Sequence, residues 1–233
     1  MLHMFDPMYF VIVGPALLLS LWATFKVKGA FARYSRERSA RGYTGADAAR
    51  EILRANNLHD VRVVEGRGLL SDHYDPRTRT VNLSPDVYEA PSVAAIAIAA
   101  HEVGHALQHA KEYGPLALRS MAVPIASVGS WAPYILFFLG MFLHMLSLVY
   151  LGIFLFLGVV VFQLITLPVE LNASRRAGEE LERLGIAASG EIAGVRSVLS
   201  AAAMTYVAAA ITSLLTLVYY LYRAGLLGGR SRD

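Results

Sequence analysis

The stretch AIAAHEVGHALQHA, residues 97–110, carries the side chains whose types and spacing could do chemistry. His101 and His105 stand four residues apart, and Glu102 follows the first of them. On an α-helix, residues i and i+4 share a face, so both imidazoles can reach one Zn²⁺ ion at about 2.0–2.1 Å. Glu102 lies one step round the helix, where it can hold a water molecule and take its proton. This H-E-x-x-H pattern predicts one zinc ion per chain and hydrolytic chemistry, with Glu102 as the general base.

The alternative interpretation of the same pattern is a buried helix whose two histidines hydrogen-bond within the core. The helical context and the apolar residues before the motif favour the metal site. His109 continues the four-residue spacing, but it lies eight residues beyond His101. That separation is about 12 Å along a helix axis at roughly 1.5 Å per residue. One ion cannot bind both side chains, so we predict that His109 is not a ligand.

A catalytic zinc usually has three protein ligands and one open position, so a third ligand must come from elsewhere. Glu170 follows Pro168 at the end of a long apolar segment and is predicted to open a helix, VELNASRRAGEELERLG. An acid at a membrane edge is unfavourable without a partner, and zinc would be one. An ordinary acid facing the helix dipole is the alternative, and position alone does not separate the two. The other candidates are Asp72, His73, Asp75, Glu112 and the acidic cluster at 179–182.

The composition indicates that a membrane protein positions these residues. Charged residues make up 17% of the 233 residues, and the mean hydropathy is +0.46. No Asp, Glu, Lys or Arg occurs in the windows 7–25, 120–169 and 197–222. Because a spanning helix needs about 20 mostly apolar residues, we predict four spans. They lie near 7–26, 121–143, 147–168 and 199–222, the middle pair joined by a tight turn near 144–147. Buried helices of a soluble protein are the alternative.

Composition also excludes several classes of site. The chain has no cysteine, so neither a disulfide framework nor a thiolate metal site is possible. The formal net charge of +3 is small, and its basic residues fit the ends of membrane spans better than a nucleic-acid surface. We therefore expect a lipid bilayer as a partner and no nucleic acid.

The distribution of basic residues predicts the orientation in the membrane. Six basic residues against the single acid Glu37 follow the first predicted span, and the positive-inside rule makes that side cytoplasmic. With four spans, residues 27–120 and 169–198 lie together on the cytoplasmic side, and so does the predicted site. The C-terminal tail is then outside, although Arg223, Arg230 and Arg232 conflict with that placement.

The predicted fold is a mainly α membrane protein, with about four transmembrane helices plus a small α+β zincin-like cytoplasmic domain. That domain covers residues 27–120, and a helix carrying the third zinc ligand occupies 169–198. Thr44 and Asp47 predict a helix running to about Asn56. Ser92 caps the motif helix, which is predicted to run to about Lys111 and to be ended by Gly114–Pro115. Strands are predicted at 61–64 and 80–83.

Two local features leave alternatives open. Residues 72–75, Asp-His-Tyr-Asp, are predicted to form a turn, while 80–83 is either an edge strand that pairs with substrate or the second strand of a small sheet. Gly104, unfavourable in a helix interior by about 1 kcal/mol, clears room either for substrate or for close packing against the other active-site helix.

Three segments, AAHEVGHALQ, LPVELNASRRA and LSDHYDPRTRTVNLS, together resemble the YugP-type family of neutral zinc metallopeptidases of bacterial membranes. The likeness covers most of the chain from about Thr44 to Leu184. More distantly, the chain resembles membrane zincins of the HtpX and CAAX-processing types, which have H-E-x-x-H and then a glutamate ligand in an E-x-x-x-D pattern. The resemblance implies that Glu170 is the third zinc ligand, beside His101 and His105.

Near Glu170, this chain differs from its relatives at two positions. The distant relatives have an aspartate that orients a ligand histidine, and this chain has Ser174 there, which can hydrogen-bond but carries no charge. Asn172 stands where the family has aspartate, and the sequence gives it no role.

The function predicted from the sequence is that of a membrane-bound, zinc-dependent endopeptidase (a hydrolase) of the bacterial cell membrane, with its site facing the cytoplasm. Its substrate is a polypeptide, and a membrane protein fits a site beside the spans. The donor for the developing oxyanion stays open among His73, Tyr74 and Arg175. The alternative is a non-catalytic membrane scaffold or partner-binding protein with a structural zinc site, which would normally have four protein ligands. A metal transporter ranks last, because the predicted spans carry almost no polar groups.

Overall fold

The computed structural model describes residues 6–68, 71–129 and 131–227, without the side chains of 124–129. The described chain is mainly helical, as predicted, with one small sheet. The helices are α1 Pro7–Ile12, α2 Gly14–Tyr34, α3 Gly45–Ala55, α4 Pro85–Tyr88, α5 Val93–Ala110, α6 Gly114–Gly129, α7 Ala132–Phe142, α8 Leu146–Arg183 and α9 Ile192–Arg223. The strands are β1 Arg62–Glu65, β2 His73–Asp75 and β3 Thr80–Leu83.

The chain divides into two compact units. The helical unit comprises the described parts of 1–22, 118–167 and 206–233, and the mixed unit comprises those of 23–117 and 168–205. All three predicted zinc ligands belong to the mixed unit, although two of them precede and one follows the long segment 118–167. The predicted division into spans and a cytoplasmic domain, with its boundaries at 27–120, 121–168, 169–198 and 199–222, stays a prediction.

The sheet of the mixed unit has the strand order β1-β3-β2. Strand β3 pairs in parallel with β1 and antiparallel with β2, so Thr80–Leu83 is the central strand and not an edge. Val81 and Leu83 of this strand are fully buried, as the pattern of a strand covered by helices requires. Of the two alternatives for 80–83, the inner strand of a small sheet is therefore correct.

Strand β2 occupies residues that were predicted to form a turn, and that prediction was wrong. Tyr74 lies opposite Val81 in the antiparallel pair, and this pairing outweighs the turn preference of the flanking aspartates. A turn follows at the end of the strand: the Asp75 carboxylate accepts hydrogen bonds from the amide of Arg77 at 2.9 Å and the hydroxyl of Thr78 at 2.8 Å.

Two predicted helix starts are confirmed by their capping hydrogen bonds. The Thr44 hydroxyl accepts from the Asp47 amide, and the Asp47 carboxylate accepts from the Thr44 amide, which is a complete capping box for α3. The Ser92 hydroxyl accepts from the Ala95 amide at the start of α5. Helix α5 then packs against α3, α4 and the sheet, with its first turns buried.

The predicted end of helix α5 near Lys111 is confirmed, but the residues predicted to terminate it have another role. The helix ends at Ala110, and Lys111 and Glu112 lead out of it, Glu112 with a φ of 50°. Gly114 and Pro115 start α6 and do not terminate α5. Proline suits the first turn of a helix because its missing amide would have no partner there.

The helical unit is held together by aromatic side chains and by close helix contacts. Phe137 of α7 stacks on Tyr220 of α9 with ring centroids 3.8 Å apart. A Cβ atom on Gly140 would lie 2.7 Å from the Val149 amide nitrogen, so glycine there lets α7 approach α8 closely. Such small-residue contacts are typical of helices that pack in membranes.

Two helices among the described residues, α8 and α9, are long and apolar enough to cross a membrane. The predicted span 7–26 is divided at Val13 into α1 and α2, just before Pro15, which cannot donate a helical hydrogen bond. The predicted span 121–143 is also divided, because α6 ends at Gly129 and α7 begins at Ala132. Two candidate spans are supported, and four remain a prediction.

Helix α8 corrects the predicted helix start after Pro168. The helix runs without interruption from Leu146 to Arg183, with Pro168 in its interior. One proline removes a single hydrogen bond and costs about 3 kcal/mol, which a helix of 38 residues tolerates when its neighbours pack well. The chain turns after Arg183, and α9 begins at Ile192, so 169–198 is not one helix.

Candidate metal centre

Three side chains converge where α5 meets α8. His101 and His105 lie one turn apart on α5, and Glu170 comes from α8. Oε2 of Glu170 lies 3.1 Å from Nε2 of His101 and 3.6 Å from Nε2 of His105. The ligand atoms of the three residues all lie within 4.8 Å of one another. The side chains are 14%, 8% and 1% exposed, respectively, so this cluster is almost completely withdrawn from solvent.

The donor set and its spacing fit zinc. Two imidazole nitrogens and one carboxylate oxygen are a common set of catalytic zinc ligands. Tetrahedral ligands at about 2.0–2.1 Å from an ion lie roughly 3.3–3.4 Å from one another. The two measured separations, 3.1 and 3.6 Å, bracket that value. The three side chains could therefore bind one ion with small movements.

The electrostatics of the cluster favour an ionised Glu170. Burial raises the pKa of this carboxyl group, but the hydrogen bond with His101 and the proximity of both imidazoles lower it by more. The net effect lowers the pKa of Glu170 below its ordinary value. The cluster therefore offers a buried anion to a cation.

The other ring nitrogen of each histidine also has a partner. Nδ1 of His101 lies 3.1 Å from the hydroxyl of Ser174, one turn after Glu170 on α8. Nδ1 of His105 lies 3.0 Å from Oε1 of Gln108. Such contacts orient ligand imidazoles and influence their basicity. Ser174 is thus the neutral side chain that contacts the second ring nitrogen of His101.

Helices α5 and α8 approach closely at this site. A Cβ atom on Gly104 would lie 2.6 Å from the carbonyl oxygen of Ala173, a distance that real Cβ atoms do not show. Of the two alternatives for Gly104, close packing against the other active-site helix is confirmed. Since Gly104 precedes His105, glycine at this position lets the histidine reach Glu170.

Glu102, the predicted general base, is 9% exposed and lies beside the cluster in sequence. His109, which was predicted not to be a ligand, is not among the three clustered residues. Its Nδ1 lies 2.8 Å from the hydroxyl of Tyr74. Tyr74, a candidate oxyanion donor, is thus engaged with His109.

The remaining candidates make other contacts. Asp72 accepts hydrogen bonds from the amide and hydroxyl of Ser84, and the exposed His73 lies 2.7 Å from the carbonyl oxygen of Ser71. The exposed Arg175 pairs with Glu179 of the acidic cluster at 2.7 Å. Asp75 caps its turn, and Glu112 is exposed beyond the end of α5. Glu170 is the one candidate for the third ligand that the described structure brings to the two histidines.

Gln108 is the neighbour that sequence reasoning missed, and Asn172 is one to which it gave no role. The Gln108 amide donates to the carbonyl oxygen of Val169 and to Oδ1 of Asn172. The sequence did contain a signal, because Gln108 lies three positions after His105 and therefore on the helix face of the two histidines. A polar side chain placed there must find hydrogen-bond partners in the core.

The donor set of the cluster agrees with the comparisons to known proteins. The chain belongs to the family described as "putative neutral zinc metallopeptidase", whose model matches residues 9–225. The chain is also 52% identical over 205 residues to the "putative membrane protease YugP" of Bacillus subtilis (strain 168), which covers 88% of this chain and 91% of that protein. No solved structure matches the chain. The family resemblance predicted from the three sequence segments is confirmed.

Proposed function

We propose that this protein is a membrane-bound, zinc-dependent endopeptidase. Membership of a zinc metallopeptidase family supports the class of reaction. The convergence of His101, His105 and Glu170 is the observation that carries the proposal. Two of these buried zinc donors share helix α5 with Glu102, and the third comes from α8. Zinc bound there would lower the pKa of a water molecule to about 7 and polarise a peptide carbonyl group.

In this proposal each residue has one role. His101, His105 and Glu170 hold one zinc ion per chain. Glu102 takes a proton from the attacking water molecule while the oxygen of that water bonds to the carbonyl carbon. Glu102 then gives that proton to the amide nitrogen as the carbon–nitrogen bond breaks, which leaves a carboxylic acid and a free amine. Buried surroundings strengthen these electrostatic interactions because little water competes.

The proposed substrate is a polypeptide, with membrane proteins as the favoured class. The apolar run of α8 ends one residue before Glu170, so a ligand of the site directly follows a candidate span in the sequence. The relative's name, a membrane protease, supports a membrane location. The basic residues after the first apolar window support a site that faces the cytoplasm of a bacterial cell.

A scaffold that keeps zinc for structure is the second candidate function. It is favoured by the near-complete burial of the cluster. However, structural zinc sites usually have four protein ligands, and the cluster found among the described residues has three. A structural site also gives no reason for Glu102 beside His101.

The Glu102→Gln variant tests the proposed function. We expect the detergent-purified variant to keep one zinc per chain and to lose about 10²–10⁴-fold in hydrolysis of a casein-derived peptide, since it lacks a general base. Glu112→Gln, an exposed site just beyond the same helix, is the matched control and should keep full activity. Normal turnover by Glu102→Gln would remove Glu102 from the mechanism. Zinc without peptide hydrolysis in the parent protein would favour the scaffold.

A further inference from the structure

Gln108 is a completely buried carboxamide in a helix built mostly of alanine, valine, leucine and isoleucine. Its side chain has no exposed surface, and every polar atom of it has a hydrogen-bond partner. A buried amide without partners is strongly unfavourable, whereas a fully bonded one fixes the groups around it. The position of Gln108 three residues after His105 places it next to the proposed zinc ligands.

The partners of Gln108 determine which way its amide faces. Nε2 lies 2.7 Å from the carbonyl oxygen of Val169, and a carbonyl oxygen can only accept a hydrogen bond. The nitrogen must therefore face Val169, and the same nitrogen also donates to Oδ1 of Asn172 at 3.0 Å. That oxygen accepts a second hydrogen bond from Nε of Arg176 at 2.7 Å, so the orientation of the Asn172 amide is fixed as well.

The fixed amide determines the tautomer of His105. With its nitrogen facing Val169, Gln108 presents Oε1 to Nδ1 of His105 at 3.0 Å. An amide oxygen cannot donate, so Nδ1 of His105 must carry the hydrogen. In a neutral imidazole the lone pair is then on Nε2, the atom that faces Glu170 at 3.6 Å. The contact of His101 with Ser174 gives no such constraint, because a hydroxyl group both donates and accepts.

The same side chain also connects the two helices of the site. Val169 directly precedes Glu170, so the hydrogen bond from Gln108 holds α8 at the residue next to the third ligand. One amide thus contacts a ligand histidine on α5 and the backbone beside the ligand carboxylate on α8. We propose that Gln108 is a positioning residue of the zinc site, which fixes the tautomer of His105 and the placement of Glu170. This inference rests on the proposed function insofar as that function assigns zinc to the cluster.

Two substitutions separate the two contacts of Gln108. Gln108→Met keeps similar volume and removes every hydrogen bond, whereas Gln108→Glu keeps an acceptor for His105 and loses the donor to Val169. Leu107→Met, an equally buried neighbour on the same helix, is the matched control. The measurements are the zinc dissociation constant by chelator competition, the visible absorption spectrum of the Co²⁺-substituted protein and the melting temperature of the metal-free protein.

We expect Gln108→Met to bind zinc 10–100-fold more weakly than the parent and to change the Co²⁺ spectrum, since partners of ligand histidines typically contribute that much. Gln108→Glu should recover at least part of this affinity, even if its metal-free form melts at a lower temperature. Leu107→Met should bind within about twofold of the parent.

Zinc affinity and a Co²⁺ spectrum that are unchanged in Gln108→Met would overturn the proposal. The proposal would also be overturned if both Gln108 variants lost zinc affinity equally and only in proportion to their loss of melting temperature. That result would indicate a purely structural role. A parent protein that binds zinc but hydrolyses no peptide would contradict the proposed function alone, and the affinities would still decide the role of Gln108. A parent that binds no zinc would refute both.

Discussion

The carbonyl oxygen of Ala173 lies where a Cβ atom of any residue at position 104 would have to fit. The 2.6 Å separation from an ideal Cβ atom means that α5 and α8 can keep their distance only with glycine there. Gly104 directly precedes His105 on α5, and Ala173 follows Glu170 by three residues on α8. The packing of the helices and the geometry of the ligands therefore depend on the same residue.

Gly104→Ala should therefore lower both stability and zinc affinity. The added methyl group meets backbone atoms, which cannot move aside without separating α5 from α8. We expect a loss of about 1–3 kcal/mol in unfolding free energy and at least tenfold weaker zinc binding, measured by thermal unfolding and chelator competition.

Gly178→Ala on α8 is the control for this helix substitution. Its Cβ would find its nearest neighbour at 3.9 Å, an ordinary contact, so the variant should gain about 0.5–1 kcal/mol from its helix propensity. Equal behaviour of the two alanine variants would show that the close approach at Gly104 does not matter.

Removal of the buried carboxylate should abolish tight zinc binding. Glu170→Gln keeps the size of the side chain but loses its negative charge, and Glu170→Ala also loses the oxygen. We expect both variants to bind zinc at least 100-fold more weakly, with Glu170→Ala the weaker, as measured by metal content after dialysis against a chelator. Glu179→Gln, an exposed acid on the same helix, should retain full zinc content. Undiminished zinc in Glu170→Ala would transfer the third-ligand role to another residue.

Zinc affinity should fall as pH falls, and its dependence on pH should correspond to the uptake of two protons. Both imidazoles must be neutral to bind a metal, so a proton on either ring competes with the ion. The pKa of Glu170 lies below its ordinary value, so this carboxylate stays ionised and takes up no proton between pH 7 and 5. Where both rings are protonated in the metal-free protein, the logarithm of the association constant should fall by two per pH unit, measured with a chelator of known pH dependence. A slope near three would mean that Glu170 is also protonated.

Glu191 should contribute to stability without any effect on zinc. This buried carboxylate accepts hydrogen bonds from the amides of Ala40 at 2.7 Å and Ala188 at 2.6 Å, so it ties the loop before α3 to the loop before α9. Glu191→Ala leaves two amides without their acceptor and should cost about 1–3 kcal/mol in thermal unfolding. Glu182→Ala, on an exposed acid, is the control and should change stability little. A weakened zinc affinity in Glu191→Ala would show that the two regions are coupled.

The membrane orientation can be tested directly because the chain has no cysteine. We expect a single cysteine at Glu179 to react with a membrane-impermeant thiol reagent only after cells are permeabilised. A cysteine at Met145, beside the turn at His144, should react in intact cells. The reverse pattern would place the site outside the cytoplasm.

Local sequence signals predicted much of the fold and of the site. The H-E-x-x-H spacing, the Thr44 capping box and the Ser92 cap each depend on residues within four positions of one another, and all three lie in the helices expected. Local signals did not assign Glu170, because its position fitted both a zinc ligand and an ordinary acid at a helix start. The family resemblance favoured the ligand. The structure brings its carboxylate within 3.1 and 3.6 Å of the two imidazoles.

The features that were wrong or missed depend on distant partners. Tyr74 forms a strand because it pairs with Val81, although its neighbours favour a turn. Pro168 remains within α8, where Thr166 before it and Val169 after it are buried, and a single proline does not end so long a helix. Gln108 has its deciding partner, Val169, 61 residues further along the chain, where no local pattern could indicate it.

The separation of the ligands along the chain also has a consequence for biosynthesis. His101 and His105 leave the ribosome first, and Glu170 follows 69 residues after His101, once the whole apolar segment between them has been made. Because chains are synthesised at about 5–20 residues per second, the centre stays incomplete for several seconds of translation. A nascent chain therefore cannot bring the three side chains together before the intervening helices have been synthesised. The order of the sequence itself delays metal binding at this cluster until Glu170 has emerged.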